Sequence, residues 1–368
     1  MLRFRNLNSA MFSVIDESIE RITAGNNLPR AEAEAAMEQI LSGSASNAQI
    51  AGLLTALNAK GETVDELVGF ATAMRRHAAV IFPGGRRPPN EILVDTCGTG
   101  GDARGTFNIS TAVAFVVAGA GVRVAKHGNR SISSRCGSAD VLEQLGVRID
   151  LPAERVGRSI DEVGIGFLFA PAMHQATRHA MPVRRELKVR TAFNLLGPLT
   201  NPAGASAQLV GVYHRDVVEL VAHALGELGV RRAFVVHGAD GLDEISISSQ
   251  THVSEVSDGG VRSYTVTPED FGVPRAPLES IRGGDAKQNA EIIHKILGRS
   301  LLDRDHVPHG NIVLANAAAV LVAAGRAKDF LEGVRIASES IDSGAARERL
   351  KALVAFSQAQ KDAAESAW

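Results

Sequence analysis

At 368 residues the chain is long for one compact core, which favours two domains. Its composition is that of a globular protein, 45% hydrophobic and 22% charged, and a net charge of −2 with no long basic run argues against a nucleic-acid partner. One Trp and two Tyr are too few for stacking platforms, and two cysteines (Cys97 and Cys136) in neither CxxC nor CxxH spacing argue against structural zinc and for a reducing, cytoplasmic compartment.

The start, MLRFRNLNSAMFSVIDE, has no apolar core long enough for a signal peptide and reads as an N-terminal extension. Residues 13–80 read as helices: Leu53, Leu54 and Leu57, then Leu67, Phe70, Ala71 and Met74, recur at helical spacing. Ser46-Asn47 offers an N-cap and Gly61 a C-cap to the segment between them. FPGGRRPPN (82–90) is Pro/Gly-rich and reads as a linker or hinge. Beyond it short β-rich runs alternate with helical ones: EILVDT, STAVAFVVAGAG, VRVAKHG, SADVLEQLG, then GIGFLFAP, QLVGVY, RDVVELVAHALGELG, RAFVVHG, and EISISS with VRSYTVT. Such alternation predicts a mostly parallel sheet with helices on both faces. The most apolar stretch, TAVAFVVAGAGV (111–122), is too short to span a bilayer and reads as a buried helix, so no membrane association is expected. From about 285 the chain is helical again. The expected fold class is α/β: a small all-helical domain (1–88) hinged to a larger α/β domain (89–368) with a mostly parallel central sheet flanked by helices.

DTCGTGGD (95–102) follows the apolar run Ile92, Leu93, Val94, and a strand ending in glycines delivers backbone to a phosphate. Gly98-x-Gly100-x-x-Ala103 formally matches a dinucleotide fingerprint, but the helix begins only near Asn108 and Ser110, which look like its cap. The next strand ends in Lys126 and His127, not in an acid for a ribose hydroxyl. Asn108, Ser110 and Thr111 place amides and hydroxyls at a helix N-terminus, a natural anion site. Lys126 adds a cation, and Ser131, Ser133, Ser134 and Ser138 add donors; singly each Ser is better explained by capping, but the cluster is unusual. Asp243 and Glu244, side by side after another strand, suit magnesium with substrate phosphates, or a solvated acidic loop. Arg184, Arg185 and Arg190 suit carboxylate capture, or are surface cations.

Taken together, DTCGTGGD, FNIST, KHGNRSISSRCGSADVLEQLG, RTAFNLLGPLTNPAG and HGADGLDEIS resemble, in order and spacing, the motifs of the anthranilate phosphoribosyltransferases. The resemblance covers nearly the whole chain. It implies transfer of the phosphoribosyl group from phosphoribosyl pyrophosphate to the amine of anthranilate, with pyrophosphate released. By the same resemblance Gly98, Gly101, Asp102, Thr106, Asn108, Ile109, Ser110, Thr111, Lys126, His127, Gly128, Asn129, Arg130, Ser131, Ile132, Ser133, Ser134 and Ser138 bind phosphoribosyl pyrophosphate. Gly98, Asn129 and Arg184 bind anthranilate; Ser110, Asp243 and Glu244 hold magnesium, two ions per subunit. Lys126, Arg184, Asp243 and Glu244 carry the catalysis, and Asp102 accepts from ribose hydroxyls or from waters on the metal. The resemblance further implies a homodimer paired through the helical domain, and residues 171–197 folding back onto that domain to set Arg184 across a cleft from the glycine turn. Gln175 and Thr177 depart from the family pattern beside the anthranilate path, while the pair His174 and His179 lacks helical ligand spacing and reads as structural. The competing expectations are a pyrimidine nucleoside phosphorylase, which has no need of the Asp243-Glu244 pair, and a non-catalytic nucleic-acid-binding relative, which predicts a basic helix.

Overall fold

A computed structural model describes residues 13–84, 91–101, 104–131, 135–257, 259–298 and 307–359. Four helices come first: α1 (Val14–Thr23), α2 (Arg30–Leu41), α3 (Asn47–Lys60) and α4 (Val64–Arg76). Then follow β1 (Leu93–Asp95), α5 (Ile109–Gly119), β2 (Arg123–Gly128), α6 (Ser138–Gln144), α7 (Ala153–Val163), β3 (Ile165–Phe169) and α8 (Ala170–Met173). Helices α9 (Met181–Leu187) and α10 (Phe193–Leu199) precede β4 (Ala207–Gly211), α11 (Val218–Glu227), β5 (Arg232–Gly238), β6 (Thr251–Ser257) and β7 (Gly260–Val266). The last helices are α12 (Ala286–Leu297), α13 (Val307–Ala323), α14 (Phe330–Asp342) and α15 (Ala345–Gln358). None among the described residues is long and apolar enough to cross a membrane.

The chain divides into two units, Met1–Ala78 with His174–Leu196, and Ala79–Met173 with Gly197–Trp368. In the first, Ser46 and Gln49 form a reciprocal capping box at the start of α3, and Gly61 (φ 88°) ends it. Thr63 and Glu66 repeat the device on α4, where the buried Glu66 also accepts from Leu28 N at 2.9 Å and pairs with Lys60 at 3.0 Å. Gly69 on α4 lies so close to α2 that an added Cβ would overlap the Arg30 carbonyl.

The second unit holds one seven-stranded sheet in the order β3-β2-β1-β4-β5-β6-β7. From β3 to β5 all neighbours are parallel, and β6 and β7 add an antiparallel edge. Alternate residues serve opposite faces, as strand geometry requires. Val94, Val124, Leu209 and Phe234 join Phe115 of α5 and Val313 of α13 in one core, while Leu93, Ala125 and Leu168 pack with Val156 and Ile160 of α7 in the other. Both faces are thus covered, the arrangement parallel strands need.

The run EISISS is not the expected strand. Ser246 Oγ donates to Asp240 Oδ2 at 2.6 Å, and the Ser246 and Ser248 backbone amides donate to side-chain hydroxyls at 2.9 Å. These local bonds compete with a ladder and leave an irregular loop, so the strand begins only at Thr251.

Candidate active site

From β1 the chain winds outward through β2 to β3, then returns to place β4 on the other side of β1. The carboxyl ends of β1 and β4 therefore flank a topological switch point, where open α/β sheets bind ligands. The glycine turn lies there: Thr99 N donates to Gly211 O at 2.8 Å, and Tyr213 N donates to Thr99 Oγ1 at 3.0 Å. A Cβ on Gly98 would sit 2.9 Å from Gly211 O and 3.5 Å from Asp243 Oδ2, and one on Gly211 would overlap the Asp243 carbonyl oxygen. The ends of β1, β4 and β5 meet backbone to backbone, and only residues without side chains allow it. Gly100 and Gly101 have φ of 64° and 83°, which turns the chain back on itself. Gly211 was not anticipated. Neither was Arg104, whose guanidinium lies against the Cα of Gly241 in the β5–β6 loop.

Asn108 occupies the N-cap position of α5 but its side chain does not cap the helix. It donates instead to Cys136 O at 3.3 Å and accepts from Asn289 Nδ2 at 2.9 Å. Ser110, expected as part of the cap, lies inside the first turn. The helix N-terminus therefore keeps its positive end without an internal side-chain acceptor. Thr106 bridges Arg282, which braces the approach to it, and Ile109 is buried. The Thr111 side chain is fully buried among Phe115, Leu142, Ile165 and Phe167, and its hydroxyl has no hydrogen-bond partner among the described residues. The third residue of this helix faces the sheet.

Lys126 is buried at the end of β2, with Nζ 3.2 Å from Thr96 Oγ1, 3.3 Å from Thr96 O and 3.2 Å from Ser110 Oγ. Beside it lies the fully buried Asp95, the first residue of the turn motif and one that sequence reasoning missed. Asp95 accepts from His127 N at 3.1 Å and from Asn201 Nδ2 at 2.7 Å, and Asn201 also donates to Ala125 O at 2.8 Å. Burial pushes the Asp95 carboxyl up and the Lys126 ammonium down, while each charge favours the other. The Glu244 carboxylate also favours the charged lysine, so Ser110, Lys126 and Glu244 act on one region. Asp95, Cys97 and His127 bring three ligand-type atoms within 4.8 Å, but a cation there would face the Lys126 ammonium.

His127 is buried, and its Nδ1 lies 3.1 Å from Gly197 O; a carbonyl only accepts, so Nδ1 carries the proton. Burial, helped by Lys126, pushes its pKa down to about 4. An unfolded chain protonates this ring near 6.5. The folded pKa is depressed, so the stabilising contribution is complete above about pH 6.5 and falls by about 1.4 kcal/mol per unit as pH drops towards 4. Urea unfolding at pH 7 and pH 5 is expected to show a loss about 2 kcal/mol larger in the parent than in His127→Gln. Equal losses would remove His127 as the source.

The loop after β2 is built for close approach. A Cβ on Gly128 would overlap Ser138 Oγ, which itself accepts from Asn129 N at 3.1 Å and donates to Asn129 O at 3.3 Å. Ser138, the first residue of α6, thus fixes Asn129, whose Oδ1 accepts from Arg130 N at 2.7 Å. Ser131 N donates to Asp140 at 3.1 Å. The Arg130 guanidinium forks onto Glu143 at 2.6 and 2.8 Å, so the loop offers its backbone more than its charge. Asp102, Ile132, Ser133 and Ser134 lie outside the described residues.

Arg184 belongs to the helical unit and lies over the Phe193 ring at 5.0 Å, with Nη1 3.6 Å from Met181 Sδ. Among the described residues no carboxylate pairs with it, and burial alone lowers its pKa. Of the residues that depart from the family pattern, Gln175 is exposed and Thr177 Oγ1 donates to His174 O at 2.7 Å. The His179 ring packs on Gly43, a structural place as expected.

A helical bundle and an α/β sheet with a phosphate-ready turn at its switch point define a glycosyl transferase class. Residues 90–347 match the model described as "Glycosyl transferase family, a/b domain" and residues 16–78 the "Glycosyl transferase family, helical bundle domain". An anthranilate phosphoribosyltransferase of Moorella thermoacetica is 54% identical over 93% of this chain and 98% of that relative. The crystal structure of the Thermus thermophilus anthranilate phosphoribosyltransferase superposes with a TM-score of 0.84 at 44% identity, over 93% of this chain and 99% of that one. The Saccharomyces cerevisiae enzyme in complex with PRPP and Mg gives 0.83 at 25% identity, over 94% and 98%. The chain belongs to the anthranilate phosphoribosyltransferase family.

Proposed function

We infer that this protein transfers the 5-phosphoribosyl group of phosphoribosyl pyrophosphate to the amine of anthranilate, giving N-(5-phosphoribosyl)anthranilate and pyrophosphate, a step of tryptophan synthesis. One observation carries the reading: the glycine turn, the uncapped start of α5, Lys126 and the Asp243-Glu244 loop gather at the switch point of one sheet. The backbone of 98–101, the first turn of α5 and the 128–131 loop bind the phosphates and ribose. Asp243, Glu244 and Ser110 supply only oxygen donors, the set a hard cation takes, which suits magnesium; two ions per subunit is the number the family resemblance implies. Magnesium, when bound, offsets negative charge on the diphosphate. Lys126 and the α5 N-terminus stabilise the charge that grows on the leaving pyrophosphate as the ribose C1–O bond breaks. The aromatic amine of anthranilate is neutral at pH 7, so no strong general base is required.

Arg184 takes the anthranilate carboxylate by a bidentate fork. The half-buried guanidinium, which has no acidic partner among the described residues, supports this. The protein works as a cytoplasmic homodimer paired through its helical unit; two buried free cysteines are compatible with that compartment. The test follows anthranilate fluorescence with time. The signal should fall only when protein, phosphoribosyl pyrophosphate and magnesium are all present. In Arg184→Ala the KM for anthranilate should rise by roughly a hundredfold, about 3 kcal/mol, with the KM for phosphoribosyl pyrophosphate nearly unchanged. An unchanged anthranilate KM removes Arg184 from that role, and no loss of signal in the parent protein refutes the reaction.

A further inference from the structure

Helix α13 is mostly aliphatic and small where it is buried, and its buried polar side chains are His309, near its start, and Asn316. Asn316 stands in the run VLANAAAVLVA with no exposed surface. Asparagine is a poor residue for a helix interior, and its amide must find partners when buried. Asn316 finds them in a single backbone unit of a loop 71 positions away: Ile245 N donates to Oδ1 at 2.9 Å, and Nδ2 donates to Ile245 O at 3.0 Å. A further bond from Nδ2 to Ile312 O, at 2.9 Å, ties the amide to its own helix. The side chain thus pairs with Ile245 as a neighbouring strand would, at a point where the loop has no strand beside it.

Ile245 directly follows Asp243 and Glu244. Upstream, the carbonyl of Asp243 is pressed against the Cα of Gly211, and Asp240 holds the start of the loop through Ser246 Oγ at 2.6 Å and Leu242 N at 3.3 Å. Glu244 therefore lies between two fixed points, Gly211 on one side and Asn316 on the other. Packing alone does not ask for an amide at position 316, since an aliphatic residue would suit the surrounding core.

We propose that Asn316 is a positioning residue for the carboxylates of Asp243 and Glu244: by pairing with both polar groups of Ile245 it sets the direction in which they face the ligand. This rests on the reading that these two residues hold magnesium with phosphoribosyl pyrophosphate. Residues that orient metal ligands without touching the metal commonly change its affinity by about 10- to 100-fold when replaced.

The test compares Asn316→Ala with Val313→Ala, a cavity in the same buried helix that touches no part of the loop's polar bonding. Binding of phosphoribosyl pyrophosphate is measured by calorimetry across a magnesium series, and thermal midpoints are recorded alongside. The expected result is a rise of roughly tenfold or more in half-saturating magnesium for Asn316→Ala and no comparable rise for Val313→Ala at a similar loss of thermal midpoint. Equal magnesium dependence in the two variants overturns the proposal. If Asn316→Ala does not fold, Asn316→Ser, which keeps one hydrogen-bonding group, replaces it with the same criterion. If the parent protein itself fails to bind phosphoribosyl pyrophosphate with magnesium, the functional reading falls separately. Amide exchange then decides the positioning claim: faster exchange at Glu244 and Ile245 in the variant supports it, and unchanged exchange overturns it.

Discussion

Asp243→Asn is expected to lower kcat/KM by roughly 10²- to 10³-fold, about 3–4 kcal/mol of transition-state stabilisation, with a thermal midpoint close to that of the parent protein. The substitution keeps the shape of the side chain and removes one charge from a half-buried loop. What it removes is an oxygen donor set against the glycine turn, with Asp243 Oδ2 facing Gly98. The loop itself stays anchored, because its contact with Gly211 is made by the Asp243 backbone and its bonds to Asn316 by Ile245. Activity and stability should therefore separate. Turnover followed by anthranilate fluorescence, together with a melting curve, checks this. Activity within threefold of the parent protein would show that Asp243 is not at the reacting diphosphate.

The second large effect is Lys126→Met, and here activity and stability should fall together. Lys126 and Asp95 are both buried and each charge favours the other, so removing the lysine leaves a buried carboxyl without that support and should cost about 1–3 kcal/mol. Urea unfolding at pH 7 should show a loss of that size. Turnover should fall by roughly 10³-fold, since the lysine also supplies the cation beside Ser110. The double change Asp95→Asn with Lys126→Met separates the two roles. It no longer buries a lone charge, so it should regain much of the stability and none of the activity. A double variant no more stable than Lys126→Met would mean that the two groups are not energetically coupled.

Much of the candidate site can be read in the sequence, because the residue types that suit phosphate and metal binding stand in short contiguous loops. The glycine turn, the start of α5, Lys126 and the Asp243-Glu244 pair are each recognisable from a few neighbouring residues after a strand. Helix ends were legible for the same reason: Ser46 with Gln49, and Gly61, act within one turn of their own chain. What local pattern did not settle was the direction of individual side chains. Asn108 and Ser110 were expected to cap α5, but Asn289, 181 positions away, draws the Asn108 side chain aside, and Ser110 turns to Lys126. The Thr111 side chain faces the core, and the Arg130 guanidinium is held by Glu143. EISISS has strand-like residues, but its serines bond within the loop and to Asp240.

By itself, the sequence determined the class of fold, the helical and α/β stretches, the family and the chemical groups available for the reaction. Those depend on periodicity and on local residue types. Only the tertiary structure decided which strand ends meet and why Gly98 and Gly211 must lack side chains. It also decided that Asp95 accepts from His127 and Asn201, and that Asn316 holds the loop at Ile245. The physical reason is distance along the chain. Asn201 reaches Asp95 across 106 positions and Asn316 reaches Ile245 across 71, so neither side chain shares a local pattern with the residue it fixes. Buried polar groups are satisfied by whatever the fold brings beside them, and that is settled only when the sheet and its helices have packed.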